Sequence, residues 1–409
     1  MTSRERVITA LDHREPDRVP IDLGGAIMSG IMARALHDLR RYYGLEEKPV
    51  RVYEVFQMLG EVEPDVAERL GVDVLPVEPP AIFFGLKRDN YKPWTLFDGT
   101  EVLMPGQFNV DIAETGDWLL HEAGDPDKPI VARMPKNGHY FDMPDMLSAS
   151  GDFSPPPLDK VRQKRRLPEA DLEFLQERAA HLRKTTDKAL LLGCWGRLGL
   201  GSVGSWPDYL MLLAMDQDYI RDLHAVHNET AAENIDRLYA ALGDTIDIVG
   251  LDGADYGGQQ GELFQPAWFE ELFAPYYKEQ INYIHAHTPW KTWKHTCGSV
   301  PNLVPLLADA GLDILNPVQT SAAGMDAAWL KKTYGDRLTF WGGGVDTQKT
   351  LSFATPEEVA GEVAERIRIF APGGGFVFNP IHNVQNGAPP ENIAAAFETA
   401  QQTGQYPLA

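Results

Sequence analysis

Short apolar runs recur along the chain, each followed by a polar turn and then by a helical pattern. The runs are Val19–Leu23, Asp73–Val77, Ala189–Cys194, Ile246–Asp252, Trp290–His295, Leu312–Asn316, Leu338–Gly343 and Gly375–Asn379. They are near-continuously apolar and bounded by Gly or Pro, the pattern of strands buried on both faces of a parallel sheet. Between them the spacing predicts amphipathic helices. Asp216–Leu242 sets Ile220, Leu223, Ile235 and Leu238 at helical intervals. Thr355–Phe370 opens with Thr355, Pro356 and Glu358, which read as a cap, a first-turn proline and a capping-box acid, and it stops before Gly373–Gly375.

Eight such runs alternating with helices predict an α/β chain, either a closed barrel or a doubly wound sheet. The count of eight, with no Gly-x-Gly-x-x-Gly turn after an early strand, points to a (β/α)8 TIM barrel, a single domain over residues 1–409. Residues 81–165 break the rhythm. Asp98-Gly99 and Thr115-Gly116 punctuate strand-like pieces such as Glu101–Met104 and Trp118–His121, ahead of the Pro-rich Ser154–Leu158. This reads as a β-meander and loop excursion over one barrel mouth.

Composition narrows the partners. Asp plus Glu outnumber Lys plus Arg by 59 to 37, a net charge of −22, which disfavours nucleic acid and anionic membranes. No stretch reaches the about 18 consecutive apolar residues of a membrane span, and the charged start MTSRERVITALDHREPDRVP has no apolar signal core. The two cysteines, Cys194 and Cys297, lie far apart and offer no disulfide framework, so the expected address is cytoplasmic.

In a barrel, polar residues just past the strand ends face the active site. Here these ends carry Asp252-Gly-Ala-Asp255-Tyr256, His295-Thr-Cys297-Gly298, Asn316-Pro317-Val-Gln319, Gly342-Gly-Gly-Val-Asp346 and Asn379-Pro-Ile-His382-Asn383-Val-Gln385. The sharpest element is His295-x-Cys297. Residues two apart in extended chain point to one side, so imidazole and thiol converge, a pair that favours zinc. The plainer reading is a satisfied polar pair with Cys297 behaving as a small hydrophobe.

Three motifs in this order resemble the uroporphyrinogen decarboxylase-like superfamily: Arg4-Glu-Arg-Val-Ile-Thr-Ala-Leu-Asp-His-Arg-Glu-Pro-Asp17-Arg18-Val-Pro20, His295-Thr-Cys297-Gly298, and Asn379-Pro-Ile-His382-Asn383-Val-Gln385 with Pro389-Pro-Glu-Asn392-Ile. The resemblance covers essentially the whole chain and implies a (β/α)8 barrel. Porphyrinogen decarboxylases carry an arginine-rich segment after the first strand to hold substrate carboxylates. Here no Arg stands between Arg18 and Arg34. His-x-Cys is instead similar to the zinc-dependent corrinoid methyltransferase branch, where His, Cys and a second, distant Cys hold the metal. His382 stands in that second cysteine's place. Two neutral imidazoles and one thiolate leave Zn²⁺ with a charge of about +1, a stronger Lewis acid than a two-thiolate site. Such a zinc suits an ether, amine or carboxylate substrate more than a thiol.

The resemblance therefore implies a zinc-dependent methyltransferase (demethylase) moving a methyl group from a small methoxylated or methylated substrate to a corrinoid. The chain has no Asp-x-His-x-x-Gly cobalamin signature, so the corrinoid would arrive on a partner protein. Zinc is expected at His295, Cys297 and His382, with Glu54 as a possible fourth ligand or proton carrier. Asp252 and Asp255 are candidate catalytic residues, against loop-capping roles. Asn316, Gln319 and Asp346 are candidate substrate contacts, and Asn383 and Gln385 candidate supports for the His382 loop. Cys194 reads as a packed thiol, and His224, His227, His285 and His287 as surface or structural residues. Two other functions stay open: a zinc-assisted decarboxylase or lyase acting on a small organic acid, and a non-catalytic binder on the same barrel.

Overall fold

The computed structural model describes residues 1–408 apart from 144, 145, 147 and 152. Among the described residues, seven parallel strands form one curled sheet. In spatial order they are β1 (Val74–Pro76), β2 (Ala189–Leu192), β3 (Ile248–Gly250), β4 (Lys291–His295), β5 (Ile314–Asn316), β6 (Thr339–Trp341) and β7 (Phe376–Val377). Each lies inside a run marked by the apolar pattern.

The remaining run, Val19–Leu23, forms no ladder strand; Ile21 makes an isolated parallel bridge to Phe378. The cause is local chemistry. Pro20 has no N–H to give, and the Ile21 N–H donates to the Asp73 carboxylate at 2.9 Å instead of to a backbone carbonyl. The segment is still tied on both sides. Phe378 N–H donates to the Pro20 carbonyl, Asp22 N–H to the Phe378 carbonyl and Asp73 N–H to the Ile21 carbonyl, all at 2.8 Å. Asp73 has no exposed side-chain surface and also accepts from Arg6 and Arg18, each at 2.7 Å. The opening Asp17-Arg18-Val-Pro20 motif thus serves to seat this segment.

Side chains alternate across the sheet. Val74, Leu191, Ile248, Trp293, Ile314, Trp341 and Val377 fill its inside, joined by Val7 and Leu11 of the helix Ser3–Leu11. That helix sits at the N-terminal strand ends: Arg4 N–H donates to Asp187 ahead of β2, and Gly375 ahead of β7 donates to Ala10. The opposite end is left for the polar strand-end residues. Trp293 is wholly buried, so Trp293→Ala would cost roughly 3–5 kcal/mol in lost transfer and cavity energy.

The helical pattern is realised within a residue at each end. Gln217–Leu242 is capped by Asp216, whose carboxylate accepts the Tyr219 N–H at 3.0 Å. Pro356–Phe370 carries the expected capping box, Thr355 accepting from Glu358 N–H at 3.3 Å and Glu358 from Thr355 N–H at 2.9 Å. His224 and His227 are buried on the first of these helices, whereas His285 and His287 are exposed. His224 bridges the Leu272 carbonyl and the Tyr209 hydroxyl, a structural use.

The excursion is more ordered than the sequence pattern suggests. Lys92–Thr95 and Glu101–Met104 form a hairpin about Asp98-Gly99, and Glu101–Met104 pairs in parallel with Val50–Glu54. Val110–Ile112, Trp118–His121 and Ile130–Met134 make a separate antiparallel meander. Val50–Glu54 escaped the run-based reading because it belongs to this side sheet and not to the parallel one. No helix among the described residues is long and apolar enough to cross a membrane.

Candidate metal centre

The site forms where β4 ends. Strand alternation sends Trp293 and His295 inward and Lys294 outward. After His295 the chain turns, and each of the next four N–H groups has its own acceptor. Thr296 N–H donates to the Asn316 carbonyl at 2.7 Å and Cys297 N–H to Asp255 Oδ1 at 2.8 Å. Gly298 N–H donates to Gln319 Oε1 at 2.9 Å and Ser299 N–H to the Gly258 carbonyl at 2.7 Å. Gly298 has φ +90°, and a Cβ there would stand 2.2 Å from the Gly257 carbonyl oxygen, so only glycine closes this turn. Cys297 is therefore held by backbone, not by packing.

His295 Nδ1 lies 2.7 Å from Asn316 Oδ1, across the register pair that joins β4 to β5. The Asn316 amide nitrogen donates to the Trp341 carbonyl at 2.9 Å, which turns its oxygen toward His295. That oxygen can only accept, so Nδ1 carries a proton and Nε2 is the nitrogen left to take a metal ion or a second proton. Cys297 Sγ is 3.4 Å from that Nε2. His382 closes the group: its ring centroid is 5.6 Å from that of His295, at 75° between planes. The donor atoms of His295, Cys297 and His382 all lie within 4.8 Å of one another, a spacing one ion can bridge. The side chains present fit zinc in donor type, in mutual distance and in the carbonyl-type acceptor that orients the histidine.

Electrostatics agree with a site built for positive charge. Burial works against charging His295, but its contacts with Cys297 and the Asp255 carboxylate outweigh it and push its pKa up to about 10. Burial, followed by repulsion from His295, pulls His382 down to about 4. Although burial opposes it, Asp255 is held well below the usual carboxylate range by His295, whose Nε2 is 3.4 Å away, and by the Cys297 N–H.

The other candidates divide. Asp255, Asn316 and Gln319 converge on the His295–Cys297 turn as its supports. Asp252 is engaged otherwise: Lys294 Nζ is 2.8 Å from Oδ1, while Oδ2 accepts from the Tyr277 hydroxyl at 2.7 Å and from Leu200 N–H at 3.0 Å. Asp346 accepts from Gln348 N–H at 2.6 Å and Lys349 N–H at 2.9 Å, as a loop cap does. Asn383 accepts from Gly30 N–H and donates to the Ile27 carbonyl, fixing the His382 loop to residues 24–30. Gln385 contacts the Asn383 carbonyl. Glu54 is not among the grouped donors; its carboxylate accepts from Phe56 and Gln57 N–H at 2.6 and 2.8 Å, and burial raises its pKa to about 7. Cys194 is partly buried, its thiol pushed up to about 12 by desolvation.

Two residues were missed by sequence reasoning. Lys294 has no exposed side-chain surface and bonds the Ala254 carbonyl at 3.0 Å and the His295 carbonyl as well as Asp252. Its signal was a lysine on the outward register of a core strand. Asp22, also wholly buried, accepts from Gly25 N–H and from Trp341 Nε1, each at 2.8 Å, and burial lifts its pKa to about 6. Its signal was an acid inside an apolar run.

The uroporphyrinogen decarboxylase (URO-D) family model matches residues 205–403, the stretch that holds all three grouped donors. Over that stretch, just under half of the chain, the sequence is similar to this family. Curated uroporphyrinogen decarboxylases share this likeness: that of Azoarcus sp. (strain BH72) is 24% identical over 57% of this chain, and that of Thioalkalivibrio sulfidiphilus 22% over 58%. The matches span 64% and 66% of those relatives, somewhat under two thirds of their length. A methyltransferase from Methanosarcina mazei has the same fold, with a TM-score of 0.58 at 15% identity over 98% of this chain and 99% of that one.

Proposed function

We propose that the chain is a zinc-dependent methyltransferase that takes a methyl group from a small methoxylated or methylated substrate and passes it to a corrinoid carried by a partner protein. One observation carries this reading: His295 Nε2, Cys297 Sγ and a His382 ring nitrogen converge within 4.8 Å, with Asn316 fixing which nitrogen of His295 is free. Three protein ligands would leave a zinc ion held here one further position for substrate. Zinc held there supplies a Lewis acid for the heteroatom from which methyl departs. Asn316 keeps His295 in the ligating tautomer, Asp255 holds the Cys297 backbone, and Asn383 holds the loop that bears His382. Asp255, half-exposed beside His295, stays a carboxylate and offsets the positive charge at the site. No side chain at the site is a strong enough nucleophile to take methyl from an ether, so the acceptor comes with the partner.

The fold fits this use. The bonds from residues 20–22 to both edge strands support one closed eight-membered barrel, a single domain over residues 1–409. His295 is buried at the C-terminal strand ends, while Cys297 and His382 keep some exposed surface through which a substrate can reach them. The second reading, a zinc-assisted decarboxylase or lyase on a small organic acid, draws on the names of the curated relatives. Against porphyrinogen chemistry, residues 24–30 contain no charged side chain.

The test is to incubate the purified protein with methoxylated compounds, with and without a reduced corrinoid protein, and to follow methyl–cobalt absorbance. Methyl–cobalt formation only when all three components are present supports the proposal. Corrinoid-independent release of carbon dioxide from a carboxylic acid supports the second reading and overturns the first.

A further inference from the structure

The two residues that alternate with the metal donors at the end of β4, Lys294 and Thr296, are polar and almost wholly buried. Lys294 has no exposed side-chain surface and Thr296 is 1% exposed. Both engage one neighbour, the loop 252–258 that follows β3. Lys294 Nζ donates to the Ala254 carbonyl at 3.0 Å and lies 2.8 Å from Asp252 Oδ1. Thr296 Oγ1 accepts the Tyr256 N–H at 2.9 Å. Lys294 also donates to the His295 carbonyl, so one ammonium ties the backbone of a metal donor to that loop.

The same loop supports the donors themselves. Asp255 stands between the two residues so gripped, Ala254 and Tyr256, and accepts the Cys297 N–H at 2.8 Å. The Gly258 carbonyl accepts the Ser299 N–H at 2.7 Å. Between these bonds the two segments touch backbone to backbone: a Cβ on Gly257 would stand 2.7 Å from Ser299 N and 2.8 Å from the Cys297 oxygen. Tyr277 holds the loop as well, its hydroxyl bonding Asp252 Oδ2 and the Tyr256 hydroxyl, each at 2.7 Å.

The distance of Cys297 Sγ from His295 Nε2 is set by the backbone of the 296–298 turn, and Asp255 is one of the groups that fix that turn. The Asp255 side chain is 50% exposed, so water competes for its carboxylate. The grip on the residues before and after it is what keeps it on Cys297. Donors ordered in advance bind an ion more tightly, because no ordering cost falls on the binding step.

We propose that Lys294 and Thr296 are positioning residues of the metal centre. Acting through the 252–258 loop, they hold Asp255 on the Cys297 N–H and keep thiol and imidazole at ligand spacing before an ion arrives. This rests on the reading of His295, Cys297 and His382 as the metal donors.

The test measures zinc affinity of the folded protein by chelator competition, with cobalt as a second probe whose thiolate charge-transfer band reports Cys297 ligation. Wild type is expected to take one cobalt with that band; its absence would contradict the metal centre and this inference with it. Thr296→Val keeps the side chain's shape and removes the acceptor, and should weaken zinc binding about tenfold. Thr296→Ser restores the hydroxyl and should bind within about threefold of wild type. Lys294→Met should lose at least as much as Thr296→Val. Val363→Ala, buried on the helix Pro356–Phe370, controls for lost stability and should bind as wild type does. Wild-type affinity in Thr296→Val or Lys294→Met, or an equal loss in Thr296→Ser or Val363→Ala, would each overturn the inference while the wild-type cobalt band leaves the metal centre standing. Lys294→Met decides the matter if Thr296→Val folds poorly.

Discussion

Replacing Lys294 with methionine removes a buried cation of similar length and leaves the rest of β4 in place. At 2.8 Å from Asp252 Oδ1, the charge pair is worth about 6 kcal/mol at an effective dielectric of 20, before the cost of desolvating both ions. Lys294 has no exposed side-chain surface and Asp252 only 11%, so solvent replaces little of what is lost. Breaking one side of a buried pair costs roughly 3–5 kcal/mol because the other charge is stranded. Asp252 keeps the Tyr277 hydroxyl and the Leu200 and Ala254 N–H groups, which places the expected loss at the low end, about 3 kcal/mol. Urea denaturation followed by circular dichroism measures it. The double variant Lys294→Met with Asp252→Asn should lose at least about 2 kcal/mol less than the sum of the single losses, the signature of coupled neighbours. A Lys294→Met loss below about 1 kcal/mol, or additive single losses, would refute the view that this pair anchors the 252–255 loop to the metal strand.

Asn316→Leu should weaken zinc binding by about 10- to 100-fold, because the His295 tautomer is no longer fixed; competition with a chromogenic chelator reads it, and wild-type affinity would contradict it. Glu54 has its folded pKa raised from 4.5 to about 7 by burial, so between these values the folded state holds a proton that the unfolded state has lost. Stability therefore falls as pH rises through this window, and the stability of the wild type relative to Glu54→Gln should drop by about 3 kcal/mol from pH 4.5 to 7. A pH-independent difference in paired urea titrations would contradict this. Uroporphyrinogen should not be decarboxylated at an enzymatic rate, since the 24–30 loop offers no cation for its carboxylates; chromatographic detection of coproporphyrinogen formation is the check.

The parallel sheet was legible because strands buried on both faces leave near-continuous apolar runs, as Ile248–Gly250 and Thr339–Trp341 do. Capped helices were legible for an equally local reason, visible at Thr355 and Glu358. Val19–Leu23 looked like a strand and is not assigned as one, because a carboxylate 52 residues away takes the Ile21 N–H. No local pattern carries that information. At the site, His-x-Cys was legible from strand alternation, and His382 from the resemblance. That Asp255, Asn316 and Gln319 all serve the 296–298 turn was not, since it depends on which of several strand-end polar groups face one another. Lys294 was hidden for the same reason: its meaning lies in partners on distant elements.

Zinc K-edge X-ray absorption on the purified, zinc-loaded protein and on its His382→Ala variant tests the central claim most directly. The account predicts one zinc per chain with one sulfur ligand at about 2.3 Å and the remaining nitrogen or oxygen ligands at about 2.0–2.1 Å. In the variant, occupancy should fall well below one and the histidine scattering should weaken. A wild-type spectrum without sulfur, or full zinc occupancy with an unchanged spectrum in His382→Ala, would show that these three side chains do not form the metal site.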